Sequence, residues 1–370
     1  MMQNLSLVAL ISIVSSYLLV TVLIPKISWI VKSRDLIDRP DHRSSHKAAT
    51  PTMAGVAFFF TLLFVINIIK TWDSNDIGMN LVAALGLMFA VGLKDDLVVS
   101  TPRAKIGSEI LAIFFILFCN CLQVNSLHGF LGIGNIPIMI SYVLITLMIL
   151  TIVNSFNMID GIDGLASSMG IAIFTVYGFI FYSMSLHFYF LLCLCLIGIL
   201  LGYLRYNLST TKKVFMGDTG SLIIGFCIGF LSLKFLATDP ALLQAHSFNP
   251  ENSLIIIAGI FFIPLFDTLR VIGVRLLQKK SPFSPDNNHI HHVMINSGLT
   301  HFQASLFLCF LNLGVAVIFI SLSTVFNSIQ MIVLYLFTFT LLLGVFHQLS
   351  KNVIQCNRFR HLISAIRFLF

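Results

Sequence analysis

Apolar runs of about twenty residues recur along this whole chain, and nothing constrains its fold more. A helix rising about 1.5 Å per residue needs about 20 residues to cross roughly 30 Å of hydrocarbon. Windows of that kind lie at 5–30, 53–70, 79–93, 106–122, 136–153, 166–184, 187–204, 220–236, 253–272, 302–322 and 329–347. The surrounding composition agrees: 57% of the 370 residues are hydrophobic and only 10% are charged. Within a bilayer every backbone N–H and C=O must find a partner inside its own segment, so such windows form helices. The expectation is an all-α integral membrane protein of about eleven transmembrane helices, built as one polytopic domain over 1–370. The first window has no basic residue before it and no small-residue cleavage site after it, and so reads as a retained span.

Charge placement orients the spans. Of the 22 Lys and Arg, only Lys70 and Lys234 fall at the ends opposite the rest. The positive-inside rule then puts the N-terminus outside and the C-terminus in the cytoplasm. The net charge of +7 follows from topology and from anionic headgroups, and no nucleic-acid partner follows from it. Seven cysteines sit mostly inside apolar runs, without the spacing or neighbours of a zinc site, and read as structural.

The acids are the informative minority. Asp95 and Asp96 in "GLKDDL", Asp160 and Asp163 in "NSFNMIDGIDGL", Asp218 in "VFMGDTGS", Asp267 in "IPLFDTLR" and Asp286 in "SPDNNHIHH" each adjoin an apolar run on the basic side. A carboxylate lodged at the end of a span is costly unless it meets water, a partner or a metal. Many hard oxygen ligands without soft ones suit Mg²⁺, with Mn²⁺ as a substitute, and such an ion suits a diphosphate. Gly161, Gly164, Gly217 and Gly220 permit tight turns where backbone approaches a phosphate. Lys105, Arg205, Lys212 and Arg270 add anion contacts on the same face. There is no P-loop and no dinucleotide fingerprint. A diphosphate site open both to the cytoplasm and to the bilayer is the reading these residues support. Its loops would be 32–52, 94–105, 154–165, 205–219 and 273–301.

Six segments, in order, also carry a resemblance: "RPDHRSSHKAATPTMAG", "GLKDDL" with Lys105, "NSFNMIDGIDGL", "RYN" with "KVFMGDTGSL", "FDTLRVIGVR" and "SPFSPDNNHIHH". Together they resemble the polyprenyl-phosphate N-acetylhexosamine-1-phosphate transferases, polytopic enzymes that begin lipid-linked glycan assembly in bacteria. The "HIHH" form is similar to the branch that uses UDP-GlcNAc or related sugars for O-antigen, teichoic acid or capsule. The relative that uses UDP-MurNAc-pentapeptide is the second reading. The resemblance implies a reaction in the bacterial inner membrane: undecaprenyl phosphate and a UDP-N-acetylhexosamine give the lipid diphospho-sugar and UMP. It implies Mg²⁺ dependence, bilayer lipid as surroundings, and allows a homodimer.

The resemblance also assigns residues. Asp95 and Asp96 would handle the lipid phosphate and help hold the metal, and Asp218 would ligate it. Phe215 would stack on uracil, with core packing as its other reading. Asp160 and Asp163 would line the cavity from either a helix face or a capped loop. Asn154, Asn157 and Asn207 would bind nucleotide or sugar, and Lys105 would contact phosphates. Lys212 and Lys213 read more simply as membrane anchors. His289, His291 and His292 would donate to phosphate or sugar, although their spacing also allows metal ligation. Asp267 and Arg270, three apart, form an internal pair or contribute to the site.

Rival classes fit less well. A transporter usually shows mid-membrane charges and inverted repeats, and neither is apparent. An enzyme that consumes a nucleotide-activated lipid would hold its acids in one short segment. A non-enzymatic scaffold has no use for so many acids at span ends.

Overall fold

The computed structural model describes residues 2–34, 37–38, 50–98, 101–281 and 289–367, with side chains over 5–34, 50–98, 101–281 and 289–351. Most of the expected 32–52 loop and the stretch with Asp286 therefore lie outside the described residues. The chain begins with α1 (Met2–Ser33), followed by the antiparallel pair β1 (Ile37–Asp38) and β2 (Thr50–Pro51), which sets Ile37 opposite Pro51. Next come α2 (Ala54–Ile69), α3 (Ile77–Leu97) and α4 (Pro102–Leu117). A hairpin of β3 (Ser126–Phe130) and β4 (Ile133–Asn135) precedes α5 (Ile138–Ile159), α6 (Leu165–Ser183), α7 (His187–Asn207) and α8 (Gly217–Leu236). The remainder is α9 (Pro240–Ala245), α10 (Ser253–Ile260), α11 (Phe262–Leu277), α12 (Ile290–Asn296), α13 (His301–Leu322) and α14 (Ser328–Arg367).

This is an all-α polytopic membrane protein. Among the described residues nine helices are long and apolar enough to cross a bilayer, and α10 with α11 makes ten if that bent pair is one span. Eleven is not reached among the described residues, because the 106–122 window folds as the 16-residue α4, about 24 Å long and short of a full crossing, whereas α2, of equal length, is prolonged by a helical turn to Trp72. Local signals fix several starts. Thr101 caps α4 by accepting from the Ala104 N–H at 3.4 Å, with Pro102 at the first helical position. Thr300 and Gln303 form a reciprocal capping box on α13.

Helix α8 is the hub. Its apolar window is 94% buried, against 11% for α14, whose exposed Leu and Phe side chains are what lipid would cover. It packs on α2, α3 and α5, and small residues make this possible. A side chain at Gly55 of α2 would collide with the Gly220 backbone, and one at Gly92 of α3 with that of Thr219. A side chain at Gly225 would likewise come within 3.0 Å of the Val153 backbone of α5. Backbone bonds from Ala54 to the Phe215 carbonyl (3.3 Å) and from Gly55 to that of Met216 (3.2 Å) pin the entry to α8 against α2.

The 253–272 window reads as one span but is broken by 73° between α10 and α11. Pro264 explains part of it, since proline has no N–H to return to the Ile260 carbonyl one turn earlier. Asn312 of α13 supplies the missing donor: its Nδ2 reaches the Ile260 carbonyl at 2.9 Å, and its Oδ1 accepts from the Ile263 N–H at 3.0 Å. One buried amide thus satisfies both backbone groups freed by the kink.

Candidate active site

The polar residues singled out from the sequence gather where α3, α5 and α7 end and α8 begins. Between them lies a cavity of about 290 Å³ lined by, among others, Asp96, Asn157, Asp160, Asp163, Phe215 and Asp218. Asn207, Thr52, Gly161, Gly217 and Ser221 complete much of its wall.

Asp95 and Asp96 are neighbours on α3, so their side chains point about 100° apart. Asp96 faces the start of α8. Its carboxylate accepts from the N–H of Asp218 (2.7 Å), the N–H of Thr219 (3.1 Å) and the Thr219 hydroxyl. A carboxylate on unpaired N–H groups at a helix start is doubly favoured, by hydrogen bonding and by the helix dipole. Gly217, at φ +73°, leaves room for it, because a side chain there would come within 2.8 Å of both Asp96 oxygens.

Asp95 instead accepts from Lys105 Nζ at 3.1 Å. The same ammonium donates to Asp218 Oδ1 at 2.8 Å and to Asn157 Oδ1 at 3.4 Å. Asn157 returns through Nδ2 to Asp218 Oδ1 (2.6 Å) and to Ser221 Oγ (2.7 Å). Lys105, Asn157 and Asp218 therefore form one connected polar group joining α4, α5 and α8.

Helix α5 stops at Ile159, and Asp160 to Gly164 form a loop, the second of the two arrangements the sequence allowed. Asn207 holds that loop, accepting from the Gly164 N–H at 2.6 Å while its Nδ2 donates to the Val214 carbonyl at 3.3 Å. Asp163 pairs with Lys213 (2.6 Å) and meets His301 Nδ1 (3.0 Å). Burial pushes the Asp163 carboxyl up, but His301 and Lys213 outweigh it and leave it below the usual range. The Asp160 carboxylate has no hydrogen bond among the described residues, while its N–H donates to the Asn157 carbonyl at 3.4 Å. Burial, then the charges of Asp218, Asp163 and Asp96, push its carboxyl up to about 7. The centre of the cavity thus carries more negative charge than its cations offset.

Other expected site residues stand behind this wall. Asp267 accepts from Arg270 (3.0 Å) and the Ile290 N–H (3.0 Å) and meets His289 Nδ1 at 2.8 Å, so it ties α11 to the histidine segment. His289 stacks on His291, centroids 5.5 Å apart at 8°, and His291 meets His292 at 4.4 Å. His291 is buried against Gly161, where a methyl group would collide with Nε2, and neither ring nitrogen has a hydrogen-bond partner among the described residues. Burial, then His292, drives its imidazole down to about 3, so it is neutral.

Asn154 turns away from the cavity. Its Nδ2 donates to Glu109 Oε2 at 2.7 Å, a fully buried carboxylate one helical turn beyond Lys105 on α4. Glu109, Ser221, His301 and Lys213 are site neighbours that sequence reasoning passed over or assigned elsewhere. Only Glu109 left a signal, as an acid inside an apolar run. Lys213, read as an anchor, pairs with Asp163 and lies over the Phe215 ring at 5.3 Å. Among the described residues no three His, Cys, Asp or Glu side chains converge as a ready-made metal cage.

Comparison with known proteins follows this geometry. The profile of glycosyl transferase family 4 matches residues 77–236, the stretch from α3 to α8 that carries most of the cavity. An undecaprenyl-phosphate alpha-N-acetylglucosaminyl 1-phosphate transferase of Yersinia pestis is 32% identical over 273 residues, covering 73% of this chain and 72% of the relative. The chain belongs to glycosyl transferase family 4. A protein of the same description from Escherichia coli O157:H7 is 30% identical over 297 residues, 79% of this chain and 78% of its own. A probable undecaprenyl-phosphate N-acetylglucosaminyl 1-phosphate transferase of Bacillus subtilis is 29% identical over 295 residues, with 79% and 78% covered. Within glycosyl transferase family 4 the chain falls in the undecaprenyl-phosphate GlcNAc-1-phosphate transferase branch, whose family-level activity is transfer of a HexNAc-1-phosphate to a polyprenyl phosphate.

Proposed function

We propose that this protein transfers GlcNAc-1-phosphate from UDP-GlcNAc to undecaprenyl phosphate at the cytoplasmic face of the bacterial inner membrane. The observation that carries the reading is the carboxylate-lined cavity at the joined ends of α3, α5 and α8, with Lys105 bridging Asp95 and Asp218. In the reaction an oxygen of the lipid phosphate forms a bond to the sugar-linked phosphorus. The bond from that phosphorus to the UMP oxygen breaks, and UMP leaves with the electron pair.

The donor set fits a divalent cation. Asp218 keeps Oδ2 without a hydrogen bond among the described residues, and Asp160 keeps its whole carboxylate. Mg²⁺ needs only one or two carboxylates, with waters and substrate phosphates as its other ligands. When bound, such an ion would offset the repulsion between two phosphates and the charge gathering on UMP. The chain's own groups do the rest. Lys105 sets a fixed positive charge beside the reacting phosphates, and Asp96 aims the first turn of α8, with Asp218 on it, into the cavity. His291, neutral and buried behind Gly161, backs the loop that carries Asp160 into the cavity. An apolar groove of about 240 Å³ between α5 and α10–α11, lined by Leu147, Thr151 and Phe261, lies toward lipid and offers a wall to a prenyl tail.

The test is purified protein in detergent with undecaprenyl phosphate, Mg²⁺ and a panel of UDP-sugars, read by UMP release. UMP should form with UDP-GlcNAc and only when lipid phosphate and divalent metal are both present. Release in chelator, or without lipid, would defeat the transferase reading. Preference for UDP-MurNAc-pentapeptide would move the protein to the peptidoglycan branch. The cytoplasmic placement rests on the 20 of 22 basic residues at one set of span ends. A protease tag after Phe370 should be protected in intact cells and one at Met1 cut.

A further inference from the structure

A second polar cavity lies at the opposite ends of the same helices. It holds about 340 Å³, and Leu5, Trp72, Asp73, His187, Tyr189 and Lys234 are among its walls. Helices α3, α7 and α8 each run from the catalytic cavity to this one. Along α8, Asp218 and Lys234 are separated by roughly 24 Å at about 1.5 Å per residue. The catalytic reading makes no use of this space.

Its chemistry is that of an anion site with an apolar wall. Lys234 is half-buried, and no carboxylate pairs with it among the described residues; its ammonium lies 5.2 Å from the Tyr189 ring centroid. The acid in the cavity, Asp73, directs Oδ2 to the Gly78 N–H at 2.6 Å and so serves the start of α3. His187 Nδ1 is buried without a hydrogen-bond partner among the described residues, and its ring meets Trp72 edge-on at 5.3 Å. A cation removed from water without a counter-charge is held at a cost that a bound anion offsets. Trp72 and Tyr189, each with an apolar body and a polar edge, suit the depth of lipid headgroups.

The geometry points to a phosphate-binding site here, with Lys234 as the cationic contact and Leu5, Phe188 and Trp72 as a wall for the apolar part of a phospholipid in the leaflet opposite the catalytic one. The ligand chemistry is a phosphate group, and the two sources are a lipid headgroup and inorganic phosphate. Occupation would tie the non-catalytic ends of α3, α7 and α8 to that leaflet. This inference does not depend on which sugar or lipid the catalytic cavity uses.

The chain has two tryptophans, Trp29 and Trp72, so the full-length Trp29→Phe protein in an uncharged detergent reports on Trp72 alone. Its emission is followed during titration with dihexanoyl phosphatidylglycerol, with dihexanoylglycerol of equal tails and no phosphate, and with inorganic phosphate. The phospholipid should give a saturable change and dihexanoylglycerol none. Lys234→Met and Lys234→Gln should shift the midpoint by roughly tenfold or more, the usual weight of one hydrogen bond to a charged group, while Lys234→Arg keeps it. A saturable response to inorganic phosphate with the same Lys234 dependence would assign the site to the free ion. No saturable response to either phosphate probe, an equal response to dihexanoylglycerol, or a midpoint indifferent to Lys234 in variants with parental melting curves would overturn the proposal.

Discussion

Replacing Asp96 by Asn tests whether this residue acts mainly by building α8. Its carboxylate receives two backbone N–H groups and one hydroxyl at the start of that helix. An amide keeps one acceptor oxygen and turns an NH₂ toward the remaining donors, so one buried N–H loses its partner. That costs about 1–3 kcal/mol. Loss of the negative charge at the helix start adds about 0.3–1 kcal/mol. The sum, about 1.3–4 kcal/mol, corresponds to a fall in melting temperature of roughly 2–5 °C for a chain of this size. The assay is thermal unfolding in detergent followed by a thiol-reactive dye, without substrate and with chelator, since buried Cys227 of α8 labels only on opening. Turnover should fall with stability, because Asp218 rides on the first turn that Asp96 holds. If Asp96→Asn melted within 1 °C of the parent yet lost turnover, the structural account would be wrong and Asp96 would act on substrate or metal directly.

Three further outcomes follow from the geometry. Gly161→Ala places a methyl group against His291 Nε2 and should lower UMP turnover by ~10²-fold, the scale of an ångström-sized displacement in a site; parental turnover would remove His291 from the site. Asn312→Leu strips both partners from the α10–α11 break and should destabilise by about 2–6 kcal/mol in melting experiments. Asn67→Leu, whose amide bonds only within its own helix, should change little. Because His291 titrates near 3 when folded and near 6.5 when unfolded, the unfolded chain binds more protons between those values. Stability should therefore fall as pH drops from 6.5 toward 3, by up to about 1.4 kcal/mol per unit from this residue, and His291→Asn should flatten melting temperature against pH there.

Much of the architecture is legible in the apolar windows. The 166–184 and 187–204 windows, almost touching, are two separate helices, Leu165–Ser183 and His187–Asn207, joined by a turn with Ser185 at φ +58°. What the windows hide is set by distant partners. The kink at 260–262 passes for a continuous span because its compensating amide, Asn312, comes about fifty residues later. The same holds for Lys213, whose partner Asp163 is 50 residues away and invisible to a charge count. Rotation around a helix accounts for other differences: Asn154 and Asn157 share α5, yet one turns to Glu109 of α4 and the other to Asp218 of α8. Adjacent Asp95 and Asp96 diverge in the same way. Sequence proximity identifies which residue types meet the membrane edge; it does not say which neighbour each one faces.

The repaired break between α10 and α11 also bears on how the protein is made. Pro264 leaves the Ile260 carbonyl without a donor from its own segment, and the donor it uses belongs to a helix synthesised later. Until α13 leaves the ribosome, a kinked α10–α11 in lipid would hold two orphaned backbone groups, each costing several kcal/mol there. The kinked form therefore belongs to the late stage of biogenesis, and α10–α11 has to wait near water, or beside the insertion machinery, for α13. A nascent chain arrested before His301 should leave residues 253–277 accessible to a water-soluble thiol probe at an engineered cysteine, and release of α13 should close that access.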